Sequence, residues 1–88
     1  MSAIEQEMIT SEQCRACRAL VAMDQVDLAS AARVSRNTIV DFEKERRRPN
    51  TNNLLAMKSA LEAAGVFFVP ADGMGPGVRL REPRKPLA

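Results

Sequence analysis

Apolar residues recur at helical spacing from Cys14 through Cys17, Leu20 and Val21, which predicts a first helix over roughly 12–23. Ser11 in front of it suits an N-cap, and Glu12 suits the positive end of the first turn. Asp24 and Gln25 break the pattern. A short second helix, roughly 25–32, turns Leu28, Ala29 and Ala32 to one side. Arg33 and Val34 make a tight connection, and Ser35 caps a third helix over roughly 36–45 with Ile39 and Phe42 facing inward. Pro49 ends that region, because proline lacks an amide and disfavours helix in the residue before it. After Thr51 a fourth helix is expected over roughly 52–64, with Leu54, Met57 and Leu61 in register and Gly65 just past its end.

The period then changes from helical to two. Val66-Phe67-Phe68-Val69 is β-like and stops at Pro70, residues 72–77 are turn material, and Val78-Arg79-Leu80-Arg81 alternates apolar with charged. Residues 66–82 therefore predict a β-hairpin. Residues 1–8 have no period and read as a flexible lead-in. Residues 83–88 read as a disordered basic tail, which leaves 9–65 as the helical domain.

Composition narrows the class. The 88 residues suit one domain, and 3% aromatics with abundant alanine favour closely packed helices over a sheet. The net charge of +2 says little by itself, but its distribution is uneven. Residues 1–32 carry five acids and two bases, whereas residues 33–48 carry six bases and three acids. Positive charge is thus gathered where a polyanion could be met. No apolar run is long enough to span a bilayer and no signal peptide is evident, so a cytoplasmic protein without membrane contact is expected.

The informative stretch is Gln25 to Arg48, QVDLASAARVSRNTIVDFEKERRR. Two short helices are joined by three or four residues. Gln25, Leu28-Ala29, Val34-Ser35, Thr38-Ile39, Phe42-Glu43, the basic run and Pro49 resemble the phage-repressor-like (Xre or Cro-type) helix-turn-helix family, over roughly residues 9–65. The resemblance implies a mainly α, lambda-repressor-like DNA-binding domain of four to five helices, here followed by a C-terminal β-hairpin. It also implies a transcription regulator, with a repressor the expected form. Arg33 and Glu45 depart from the family by standing where it commonly has glycine. Arg33 therefore either takes a positive φ or the turn differs.

The residues support that reading on their own. With Ile39 and Phe42 buried, Arg36, Asn37, Val40, Asp41 and Lys44 fall on the opposite side of the third helix. An α-helix fits the major groove, where arginine matches guanine, asparagine matches adenine and an apolar side chain meets the thymine methyl. Arg36, Asn37, Val40 and Asp41 are the candidate base contacts, with Asp41 either accepting from cytosine or orienting Arg36. Ser35, Thr38, Lys44, Arg46, Arg47 and Arg48 are the candidate backbone contacts. Gln25 joins them by resemblance, as does the assignment of Arg18 and Glu43 to a buried structural ion pair.

Other motifs carry less. Cys14-x-x-Cys17 could be redox-active or half of a zinc site. No βαβ setting and no further Cys or His accompany it, so the two thiols are expected to pack as small hydrophobes, with no metal and no cofactor. Gly73, Gly75 and Gly77 do not make a nucleotide loop, because a strand and not a helix follows them. Without His or Tyr, and with no Ser or Cys beside an evident base, an enzyme is not expected. The expected partner is double-stranded DNA carrying an inverted repeat, bound by a homodimer with half-sites about 34–36 Å apart or a multiple of that. The hairpin is the expected dimerisation element, since Phe67, Phe68, Val78 and Leu80 need a surface to bury against. The alternative is an antitoxin that binds a partner protein and its own operator, with the hairpin and tail as the neutralising segment.

Overall fold

The computed structural model describes residues 8–83. Four helices, α1 (Ser11–Val21), α2 (Gln25–Ala32), α3 (Arg36–Glu43) and α4 (Thr51–Ala63), precede an antiparallel pair, β1 (Val66–Val69) and β2 (Gly77–Leu80). The mainly helical fold with its C-terminal hairpin is the one expected. Most of the expected lead-in and tail falls outside the described residues. Met8 is inside them and packs against the core, so the helical domain begins at least one residue earlier than its period suggests.

Each helix starts on a side chain that accepts from the first turn. Thr10 accepts from the Gln13 amide while Gln13 accepts from the Thr10 amide, and Asp24 and Asp27 repeat this reciprocal box on α2. The cap of α1 is therefore Thr10 and not Ser11, because only Thr10 has an amide side chain three residues on to close the box. Ser35 caps α3 as expected, and Asn50 caps α4. Three helix ends then turn through the left-handed region on residues other than glycine: Ala22 (φ 56°), Arg33 (φ 59°) and Glu45 (φ 60°). At each, the following amide reaches back five residues to a helical carbonyl: Met23 to Arg18, Val34 to Ala29 and Arg46 to Asp41. This turn stops α1 at Val21 and α3 at Glu43, two residues short of the ends that periodicity predicts. Gly65 takes a positive φ (113°) after α4, as expected.

The core joins Ile9, Cys14, Cys17, Leu28, Ala29, Ala32, Ile39, Phe42, Leu54, Met57, Leu61 and Val66. α2 packs against both α3 and α4, and the hairpin lies over α1 and α4. Pairing Val66 with Leu80 and Phe68 with Val78 sets these four on one face, with Phe67, Val69 and Arg79 on the other. Val66 is fully buried, and Phe68 and Val78 pack against the core. Three of the four residues expected at a dimer contact, Phe68, Val78 and Leu80, thus share the face that meets their own helices. Phe67 alone points away, 44% exposed under the Arg79 guanidinium at 5.8 Å from its ring.

Candidate nucleic-acid interface

The spacing of α3 separates two faces. Ile39 (0% exposed) and Phe42 (5%) bury it against the domain. Arg36 and Asn37 are exposed and Val40 and Asp41 half-exposed on the other side, as the sequence predicted. Lys44, Arg46, Arg47 and Arg48 follow, all exposed. The three residues Arg33 to Ser35 join α2 to α3, and of the two alternatives for this turn Arg33 takes the positive φ.

Glu43 is the knot beneath this face. Its carboxylate, almost buried, accepts from Arg18 Nε at 2.7 Å and Nη2 at 2.6 Å, from Gln25 Nε2 at 3.1 Å and from Cys14 Sγ at 3.1 Å. Arg15 donates to the Glu43 main-chain carbonyl. Burial pushes the carboxyl up, but the donors from Arg18, Cys14 and Gln25 outweigh it and hold Glu43 below the ordinary carboxylate range. The same hydrogen bond raises the Arg18 guanidinium. The resemblance paired Arg18 with Glu43, and the structure joins them. It gave no sign of Gln25 and Cys14, which complete the knot from α2 and α1.

Gln25 also accepts from Arg36 Nη2 at 3.4 Å. Its side chain therefore bridges the buried carboxylate and the first residue of α3, a role the expected phosphate contact did not include. Asp41 does not orient Arg36: its carboxylate lies 3.8 Å from Arg46 Nη1, and the Arg36 guanidinium goes to Gln25 instead. Ser35 Oγ accepts from the Thr38 amide and shares one proton with Thr38 Oγ1 at 2.9 Å, which leaves one hydroxyl proton of the pair to donate outward. Beside them a groove of about 420 Å³ is lined by Asn37, Thr38, Asp41, Arg47, Arg48 and Asn53, among others, between α3 and the start of α4.

Cys14 and Cys17 are free and fully buried. Burial pushes the Cys17 thiol up to about 12, and burial with the neighbouring Glu43 raises Cys14 as well. Cys17 packs as a small hydrophobe, whereas Cys14 packs in the core and also donates to Glu43. Among the described residues no group of three His, Cys, Asp or Glu is placed to hold a metal, and no helix is long and apolar enough to cross a membrane.

No curated protein gives a match to the chain. A family model described as helix-turn-helix matches residues 15–63, from within α1 to the last residue of α4. That span is more than half of the sequence and contains every element that builds the exposed α3 face, so the chain belongs to the helix-turn-helix family of Xre/Cro-like DNA-binding transcription regulators.

Proposed function

We propose that the chain reads operator DNA by laying α3 in the major groove. Arg36, Asn37, Val40 and Asp41 meet base edges, while Gln25, Ser35, Thr38, Lys44, Arg46, Arg47 and Arg48 meet phosphates. The observation that carries this reading is the division of α3, with Ile39 and Phe42 locked into the core and Arg36 and Asn37 open to solvent. A guanidinium and a carboxamide on adjacent residues supply bidentate partners for guanine and adenine. The basic run supplies charge without sequence information. The Gln25 bridge favours a pre-set Arg36, because an arginine held before binding loses less rotamer freedom on contact.

Repression follows if such a protein covers a promoter, and a two-fold operator follows if two copies bind together. A pair of domains doubles a readout face of only four side chains, which supports the homodimer. Site selection from random DNA tests the base contacts when repeated with Arg36→Ala and Asn37→Ala. Each variant should lose preference at one base pair, by about 1–3 kcal/mol, and keep it elsewhere. A uniform weakening across all sequences would move both residues to the phosphate class.

A further inference from the structure

We propose that Ser11 parks the Glu45 carboxylate at the N-terminus of α1, and so keeps this acid from neutralising the arginines beside it. The proposal rests on the reading of Lys44 to Arg48 as phosphate contacts. Lys44-Glu45-Arg46-Arg47-Arg48 places one acid inside four bases. A glutamate there could pair with a neighbouring guanidinium. Each base so neutralised would release one fewer counterion when DNA binds.

The geometry directs the carboxylate elsewhere. Glu45 takes a left-handed φ of 60°, and its Oε2 accepts from Ser11 Oγ at 3.1 Å, across 34 positions of sequence. Ser11 is the first residue of α1 and is 6% exposed, so the carboxylate rests near the positive end of an eleven-residue helix. Among the described residues Glu45 makes no ion pair with Arg46, Arg47 or Arg48, although all four line one groove of about 460 Å³ with Ser11 and Glu12. The pairing in this run goes to Asp41, which lies 3.8 Å from Arg46. The Ser11 hydroxyl also lies 3.3 Å from Glu12 Oε1, but its single proton serves one acceptor at a time and Glu45 is the nearer. The Glu12 carboxyl is held below its ordinary range first by its own main-chain amide and less by the Ser11 hydroxyl.

The device explains why this chain tolerates glutamate where its family commonly has glycine. The left-handed turn aims the side chain back at α1, and Ser11 supplies the donor. Once released, the same carboxylate would compete with phosphate for the arginines.

A labelled random-sequence duplex, titrated with the full chain from about 50 to about 200 mM KCl, tests the proposal without knowledge of the operator. Ser11→Ala removes the donor and leaves the net charge unchanged. It should weaken binding about three- to tenfold at the low-salt end and reduce the salt slope by about 0.9, the worth of one phosphate. In a Glu45→Gln background the same Ser11→Ala change should do neither. Glu45→Gln alone keeps an acceptor for Ser11 and should leave the slope unchanged, since the parked acid neutralises no arginine. Circular dichroism on each variant checks the fold, and Glu45→Gln still decides the matter if Ser11→Ala does not fold. The proposal is overturned if Ser11→Ala binds like the parent, if its loss persists in the Glu45→Gln background, or if Glu45→Gln alone steepens the slope by about one phosphate. A parent chain that ignores the duplex even at low salt would remove the DNA-contact reading itself, and this idea with it.

Discussion

Ala22, Arg33 and Glu45 each hold a conformation that costs a residue with a Cβ about 1–2 kcal/mol relative to the right-handed one. Arg33 and Glu45 stand out in the sequence because the resemblance puts glycine at their places. Ala22 does not, since nothing in an alanine announces a left-handed turn, and periodicity overruns the end of α1 by two residues for that reason. Ala22 is also the simplest of the three to test, because it is exposed and uncharged. Ala22→Gly relieves the Cβ clash and gives back part of that gain as unfolded-chain entropy, about 0.5–1 kcal/mol. The net expectation is a stabilisation of about 0.5–1 kcal/mol, seen as a rise of a few degrees in Tm. An unchanged or lower Tm would mean that the α1 end is not held in this geometry in solution.

At the scale of elements, the joint of α1, α2 and α3 is a polar knot under an apolar core. Helical period shows which residues of each helix face inward. It carries no information on which side chains meet across helices, so from sequence Gln25 faces DNA only and Cys14 packs only. Both also donate to Glu43. The knot makes stability depend on pH in a definite direction. Glu43 has its carboxyl pKa below the ordinary 4.5 in the folded chain, so its contribution is complete above that value and is lost as pH falls through the lower, folded value. Glu43→Gln keeps an acceptor but removes the charge-assisted bonds, and should cost about 1.5–3 kcal/mol at neutral pH. The difference from the parent should shrink as pH drops below about 5. Urea midpoints of the two proteins across that window decide it, and curves that stay parallel down to about pH 3 would show that Glu43 is not the group being titrated.

For the whole molecule, the hairpin closes the domain and also presents a face. A change of period from 3.6 to 2 makes the hairpin readable from sequence, and its alternation makes two faces readable as well. Alternation does not tell which face meets the helices, because that depends on how α1 and α4 lie beneath it. Gln13 Nε2 donates to the Gly77 carbonyl at 3.0 Å, and this bond from α1 to β2 is one of the long-range links that fix the choice. Two adjacent residues now separate the roles. Val66 is 0% exposed beside α4, so Val66→Ala should cost about 2 kcal/mol in unfolding free energy through lost transfer and cavity formation. Phe67 faces out, so Phe67→Ala should change the stability of the isolated domain by less than about 1 kcal/mol, the worth of its contact with Arg79. If two copies join through the outer face, Phe67→Ala should shift sedimentation toward the monomer while Val66→Ala leaves assembly intact at temperatures where the domain stays folded. Deleting the hairpin would confuse the two effects, because it strips Val66, Phe68 and Val78 from the core along with any partner contact. A parent and a Phe67→Ala variant of equal sedimentation would place the dimer contact elsewhere on the molecule.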